Sequence, residues 1–244
     1  MTRLLAIDSA TDALSLALLD EHGCKTRHRI IPRQHQQRLF NLLEELLEGR
    51  TLAALDLQAI VYGQGPGSFT GLRIAVSAAQ GLAFSLGIPV VGVSSLETQV
   101  RTFLRTFPAT DIVDQPVRIL SCIDARIGQV YGQWFESTGD TLCAVGGVFV
   151  APPEAIEIPS PGTRSQAPCV YGIGSGFELL DAMPEVIRSE AQCWPEVLPE
   201  AQDMFAPAQK ILAAGQAQNP MQASPNYVQT RIGWKTLAEQ GRVA

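Results

Sequence analysis

The sequence predicts an α/β fold assembled from two copies of one unit. Three observations carry that reading. Strand-like and helix-like apolar runs alternate through the first half, and the pattern restarts beyond a polar, proline-bearing segment at 108–116. Two short signatures then recur in the same order. Leu4-Leu5-Ala6-Ile7-Asp8 is matched by Ile119-Leu120-Ser121-Cys122-Ile123-Asp124, each aspartate closing an apolar run ahead of an alternating strand. Val61-Tyr62-Gly63-Gln64-Gly65 is matched by Val170-Tyr171-Gly172-Ile173-Gly174. The two units are expected at 1–108 and 109–244, with the final segment returning to the first.

Residues 4–8 read as a buried strand, 13–19 as a second strand alternating with small residues, and 25–31 as a third. Between 34 and 48, Leu39, Leu42, Leu43, Leu46 and Leu47 recur at helical spacing. A fourth strand is expected at 59–62, a second helix at 72–86, a fifth strand at 89–93 and a third helix at 96–107. That order is an α/β unit.

Hydrophobic residues make up 46% of the 244 and charged ones 17%, below the ~25% usual for soluble domains. The balance predicts a substantial core and a surface reserved for a partner. A net charge of −6 argues against broad autonomous binding to nucleic acid, which needs excess lysine and arginine. The five cysteines contain no C-x-x-C pair, and His22, His28 and His35 show neither H-x-x-x-H nor H-E-x-x-H spacing. No zinc or other protein-held metal is therefore expected. The first strand meets Asp8 too early for a signal peptide, and no apolar run is long enough to suggest a membrane span. A soluble, cytoplasmic chain with reduced thiols is expected.

The stretch Gly63-Gln64-Gly65-Pro66-Gly67-Ser68-Phe69-Thr70-Gly71-Leu72-Arg73 has the look of a phosphate-binding loop. It fails both familiar tests. A Walker A loop needs a lysine where Leu72 stands, and the dinucleotide fingerprint needs glycine at Ser68 or Thr70. What remains is a sharp strand-to-helix turn, with Ser68 or Thr70 available to cap the helix. Its free N–H groups could hold an anion, but a structural turn is the preferred reading.

In the helix that follows, Gly71, Ala75, Ala79 and Ala83 fall at successive i+4 positions and form a ridge without bulk. Such a ridge admits close approach of another element. Spacing alone leaves open whether that element is the chain's own sheet or another subunit. Asp8 and Asp124, at strand ends, could hold hydrated Mg²⁺ or act only as turn residues. Lys25, Arg27, Arg29, Arg33 and Arg38 form a basic cluster with no acid between Glu21 and Glu44. A solvated, charge-protected edge strand is the ordinary explanation, and an acidic partner or an RNA backbone the other.

Several of these pieces together resemble one family. They are Ile7-Asp8-Ser9-Ala10-Thr11, Arg33-Gln34-His35-Gln36-Gln37-Arg38-Leu39, and the block from Tyr62 to Arg73 with its continuation Ala79-Gln80-Gly81-Leu82-Ala83. Gly92-Val93-Ser94-Ser95-Leu96 and Ile123-Asp124-Ala125-Arg126 complete the set. They resemble the TsaB (YeaZ) family over almost the whole chain, most densely from 1 to 135. Pro225-Asn226-Tyr227-Val228-Gln229 resembles the family's Pro-x-Tyr-Leu-Arg ending, with Gln229 where arginine is usual.

The resemblance implies a duplicated actin-like (ASKHA, ribonuclease-H-like) fold of two α/β subdomains. It implies a non-catalytic partner that stabilises and activates a TsaD-like catalytic subunit. That subunit transfers a threonylcarbamoyl group to the tRNA adenosine beside the anticodon. A TsaE-like ATPase is a further implied partner, with a homodimer when the chain is alone and tRNA met only through the complex. No cofactor is implied for the chain alone; ATP or ADP and Mg²⁺ would enter the assembled complex, with Asp8, Ser9, Thr11 and Asp124 as nucleotide or anion residues. The first two helices are implied as the interface, through His35, Leu39, Leu43, Gly71, Leu72, Arg73, Ala75, Ala79, Leu82 and Ala83. This moves the small-residue ridge towards a subunit contact. The competing expectation is an independent ATP- and Mg²⁺-dependent kinase or acyltransferase using Asp8 and Asp124. A peptidase fails for want of a nucleophile–base pair.

Overall fold

The computed structural model describes residues 2–107, 117–139, 141–159 and 170–228. The first sheet contains β1 (Leu4–Asp8), β2 (Ala13–Asp20), β3 (Gly23–Ile30), β4 (Ala59–Gly65) and β5 (Val90–Ser94) in the order β3-β2-β1-β4-β5. The second contains β6 (Val117–Arg126), β7 (Gln129–Thr138), β8 (Thr141–Ala151), β9 (Val170–Ile173) and β10 (Ala191–Trp194) in the order β8-β7-β6-β9-β10. Each sheet is an antiparallel three-strand meander continued by two parallel strands. The connectivity is the same, so the duplication read from the sequence is real at the level of topology.

The repeated tyrosine signature is a different matter. Tyr62 lies opposite Ile7, the residue before Asp8, whereas Tyr171 lies opposite Ile119, well before Asp124. The two signatures share wording without sharing a position in the sheet.

The helices are α1 (His35–Leu47), α2 (Phe69–Leu86), α3 (Ser95–Thr106), α4 (Glu185–Glu190) and α5 (Phe205–Ala213). Alternating residues of β1 point to opposite faces. Leu5 and Ile7 join α1 and α2 in one core cluster, and Leu4 and Ala6 join Ala201, Met204, Phe205 and Ala208 in another. β4 runs on to Gly65, past the expected stop at Tyr62, and α2 begins at Phe69 because Ser68 accepts a hydrogen bond from the Gly71 N–H.

The segments after β5 and β10 are exchanged between the sheets. The stripe Leu96, Val100 and Phe103 of α3 packs with Ile119, Tyr171 and Ile173 of the second sheet. The stretch 201–213 packs in return on β1, β4 and β5 of the first. Phe103 is 1% exposed, its ring 4.9 Å from Trp194 and 5.8 Å from Tyr171. Burying a side chain of that size stabilises the fold by ~1.5–3 kcal/mol. So α3, counted by sequence with the first unit, gives its apolar stripe to the second. The expected boundary at 108–116 and the departure at Gln229 lie outside the described residues.

Candidate functional site

The glycine-rich loop is tied to the turn after β1. The Ser68 N–H donates to the Ala10 carbonyl at 2.7 Å, and the Ser9 hydroxyl donates to the Gly71 carbonyl at 2.7 Å. A Cβ on Gly71 would lie 1.9 Å from the Ser9 carbonyl oxygen. Glycine is required there for backbone to meet backbone, not to cradle a phosphate.

Asp8 is sealed under the same loop. It is 1% exposed, accepts from the Ala10 N–H at 3.0 Å and from the Ser95 hydroxyl at 3.3 Å. A Cβ on Gly63 would come within 2.0 Å of its Oδ2. Burial, only partly offset by those hydrogen bonds, pushes the carboxyl up to about 6. Ser9 is fully buried. Asp124 accepts from the Arg126 N–H at 2.8 Å and from Arg126 Nη1 at 3.0 Å. Asp8 and Ser9 therefore offer no open edge to an anion or Mg²⁺, which corrects their assignment. Of the four expected residues, Thr11 lines a cleft of about 810 Å³ with Asp12, Arg33, Gln36, Ser68, Thr70 and Arg126.

The helical ridge is corrected too. Ala75, Ala79 and Ala83 are 0% exposed and, like Gly71, buried in this chain; the three alanines belong to the core cluster around Leu5, Ile7 and Tyr62. Their small size lets α2 lie close on its own sheet. Leu39, Leu43 and Leu72 are equally committed to the core, and His35 is 7% exposed with Nε2 at 3.2 Å from the Asp12 carbonyl. Of the ten interface residues expected, only Arg73 is exposed, and Leu82 is half-buried.

The free surface of the helix pair is a different set. Thr70, Arg73, Ser77, Gly81, Phe84 and Ser85 form the exposed face of α2, flanked by half-buried Ile74 and Ala78. Of these, Thr70, Arg73, Ile74, Ser77 and Ala78 line a groove of about 410 Å³ with Gln36, Leu39 and Phe40 of α1. Phe40 is 56% and Phe84 71% exposed. Arg73 is the one charged residue in the 18 of α2. The helix also meets the length and composition of a membrane span, with mean hydropathy 1.2, which the sequence expectation overlooked. Its position against the sheet accounts for part of that apolarity, and an outer face with a single charge for the rest. A run of 18 residues with one charge was the available signal for this face.

The basic cluster divides. Lys25 and Arg27 pair with Glu48, at 2.5 Å and 3.3 Å, on edge strand β3. Arg33 and Arg38 have no ion pair among the described residues. The described cysteines, Cys24, Cys122, Cys143 and Cys193, are free thiols. No three His, Cys, Asp or Glu side chains converge among the described residues.

A feature with no periodicity to announce it completes the site. The stretch 216–228, broken by a single 3₁₀ turn at Pro220–Gln222, runs the length of α2 as a strap. Gln218 pairs with Val90, Gln80 Nε2 donates to the Ala223 carbonyl at 3.1 Å, and the Asn226 N–H donates to the Gln64 carbonyl at 2.7 Å. It reaches the N-terminal end of α2 at Tyr227, whose ring centroid lies 5.3 Å from that of Phe69.

Against this geometry, residues 28–217 match the family described as TsaD, tRNA N6-adenosine threonylcarbamoyltransferase. The tRNA threonylcarbamoyladenosine biosynthesis protein TsaB of Escherichia coli is 34% identical, over 96% of this chain and 98% of that protein. The TsaB protein of Haemophilus influenzae is 28% identical, over 96% of each. The solved structure of YeaZ from Pseudomonas aeruginosa superposes with a TM-score of 0.80 at 35% identity, covering 93% of this chain and all of that one.

Proposed function

The chain belongs to the TsaB family, within the wider threonylcarbamoyltransferase family, and from that premise we propose an accessory role in making threonylcarbamoyladenosine on tRNA. In this reading it docks on a TsaD-like catalytic subunit and stabilises its active form. A TsaE-like ATPase joins the assembly, and tRNA is met through the complex, in the cytoplasm. The observation that carries the reading is the near-full-length likeness to TsaB proteins. The place of docking is supported by the outer face of α2, partly aromatic and with Arg73 as its one charge, and the groove beside α1. Exposed apolar surface of that kind marks association.

An accessory rather than catalytic role is supported by the side chains themselves. His22, His28 and His35 lie apart, and His35 is held by a backbone carbonyl. The strand-end carboxylates are occupied within the chain, Asp8 by its own loop and Asp124 by Arg126. These residues do not fit a resident metal or a Mg²⁺-nucleotide, so no step is assigned through one.

The test is reconstitution. Threonylcarbamoyladenosine formation on tRNA is measured with the cell's TsaD-like and TsaE-like proteins, with and without this chain. Product that depends on the chain, and is absent with the chain alone, is the expected outcome. Full product without it, or product from it alone, would overturn the reading.

A further inference from the structure

At the head of the groove, Arg73 is held in a way that no other surface arginine described here matches. Its guanidinium carbon stands 3.6 Å from the centroid of the Phe69 ring, and Nε donates to the Tyr227 hydroxyl at 2.9 Å. Tyr227 in turn packs on Phe69 and is carried there by the strap. One face of the guanidinium and one of its donors are thus committed. Nη1 and Nη2 have no partner, and no acid pairs with Arg73, among the described residues. Arginine stacked on a ring presents a planar fork suited to a carboxylate, and fixing it in advance removes much of the ordering cost of binding.

Resting on the docking reading above, we infer that Arg73 is the specificity contact of the α1/α2 face. It receives a carboxylate from the TsaD-like subunit seated in the groove, and Tyr227 acts as the positioning residue that aims it. Charge complementarity argues for that occupant. The outer face of α2 carries one charge, positive and without an ion pair among the described residues, so a partner buried against it must supply the compensating acid or leave the cation stranded. Buried arginines bordered by aromatic side chains are also where interface affinity concentrates.

The experiment measures the affinity of this chain for the cell's TsaD-like subunit by calorimetry at several salt concentrations. Self-association by sedimentation and thermal melting are followed alongside. Arg73→Gln should melt like the parent, bind the subunit about tenfold or more weakly, and lose most of the salt dependence. Tyr227→Phe keeps the ring and the charge but loses the hydroxyl. It should weaken binding about three- to fivefold while the salt dependence stays. Binding by Arg73→Gln within twofold of the parent would overturn the inference. So would a loss confined to self-association, which would assign the contact to a second copy. A parent chain that fails to bind the TsaD-like subunit at all overturns the docking reading itself, and this contact with it.

Discussion

On its inner face α2 carries Gly71, Ala75, Ala79 and Ala83; on its outer face it carries Thr70, Ser77, Gly81 and Ser85 around one charge, Arg73. Small residues run along both faces, beside Leu72 and Val76 on the inner and Phe69 and Phe84 on the outer, and neither has the run of charges that usually marks the wet side of a helix. The inner set is small because a sheet and a backbone turn lie against it: a Cβ on Gly71 would collide with Ser9. At Gly81 the outer face has nothing of the described chain against it, since a Cβ there would meet no atom within 4 Å. Small residues under contact pressure report packing already made. Small, uncharged residues without it report a surface kept ready for packing.

The largest break in that comparison comes from Ala79→Arg. On the inner face the long cation has no exit, so overpacking and an unpaired buried charge add together, at least about 4 kcal/mol. Against a total stability of ~5–15 kcal/mol, the melting transition should collapse or move far down. A well-folded variant that merely fails to associate would return the ridge to the surface and sink the inner-face assignment.

How much of this could be read beforehand depends on what periodicity encodes. The five strands and three long helices of the first half were legible from apolar spacing, and the duplication from the matched runs ending at Asp8 and Asp124, whereas β8 and β10 were not read. Which face of α2 turns inward was not, since alanine and glycine at i+4 satisfy a sheet and a subunit equally well. The exchange of α3 and the 201–213 stretch was equally hidden. A stripe such as Leu96, Val100 and Phe103 announces a buried face without naming the sheet that buries it. The strap that places Tyr227 on Phe69 has no period at all, and its role appears only in space.

A second test probes what the α2 loop seals. Asp8 has a carboxyl raised to about 6 in the folded chain, against ~3.9 when unfolded. Between those values the folded chain binds more protons, so this group subtracts stability as pH rises from about 4 to 6, and the loss is complete above. The full effect is on the order of 3 kcal/mol. Asp8→Asn should therefore raise the urea midpoint at pH 8 and flatten the fall between pH 4 and 6. An unchanged pH profile would mean that water reaches the carboxylate, and that the loop is not the lid described here.

The remaining pair uses one substitution, glycine to alanine, on the two faces. Gly71→Ala must push the Ser9 turn away and should cost about 1–3 kcal/mol, read as a lower melting temperature. A neutral result would show that the loop yields easily and that close approach does not explain the glycine.

Gly81→Ala is the smallest change and separates the two faces most finely. Gly81 sits in the interior of α2 with no left-handed backbone and no neighbour in the space a methyl would fill. Alanine there removes backbone freedom from the unfolded chain, so the isolated protein should gain about 0.5–1 kcal/mol and melt slightly higher. If the outer face is a docking surface, the same methyl intrudes on a partner's backbone, and affinity for the TsaD-like subunit should fall although the monomer is more stable. Calorimetry against that subunit, set beside the melting curve, reads both signs at once. Higher stability with undiminished affinity would leave Gly81 without a role in contact and move the docked surface towards the Arg73 end of the groove. A lower melting temperature would show instead that the outer face is already packed, and the contrast between the faces would fail.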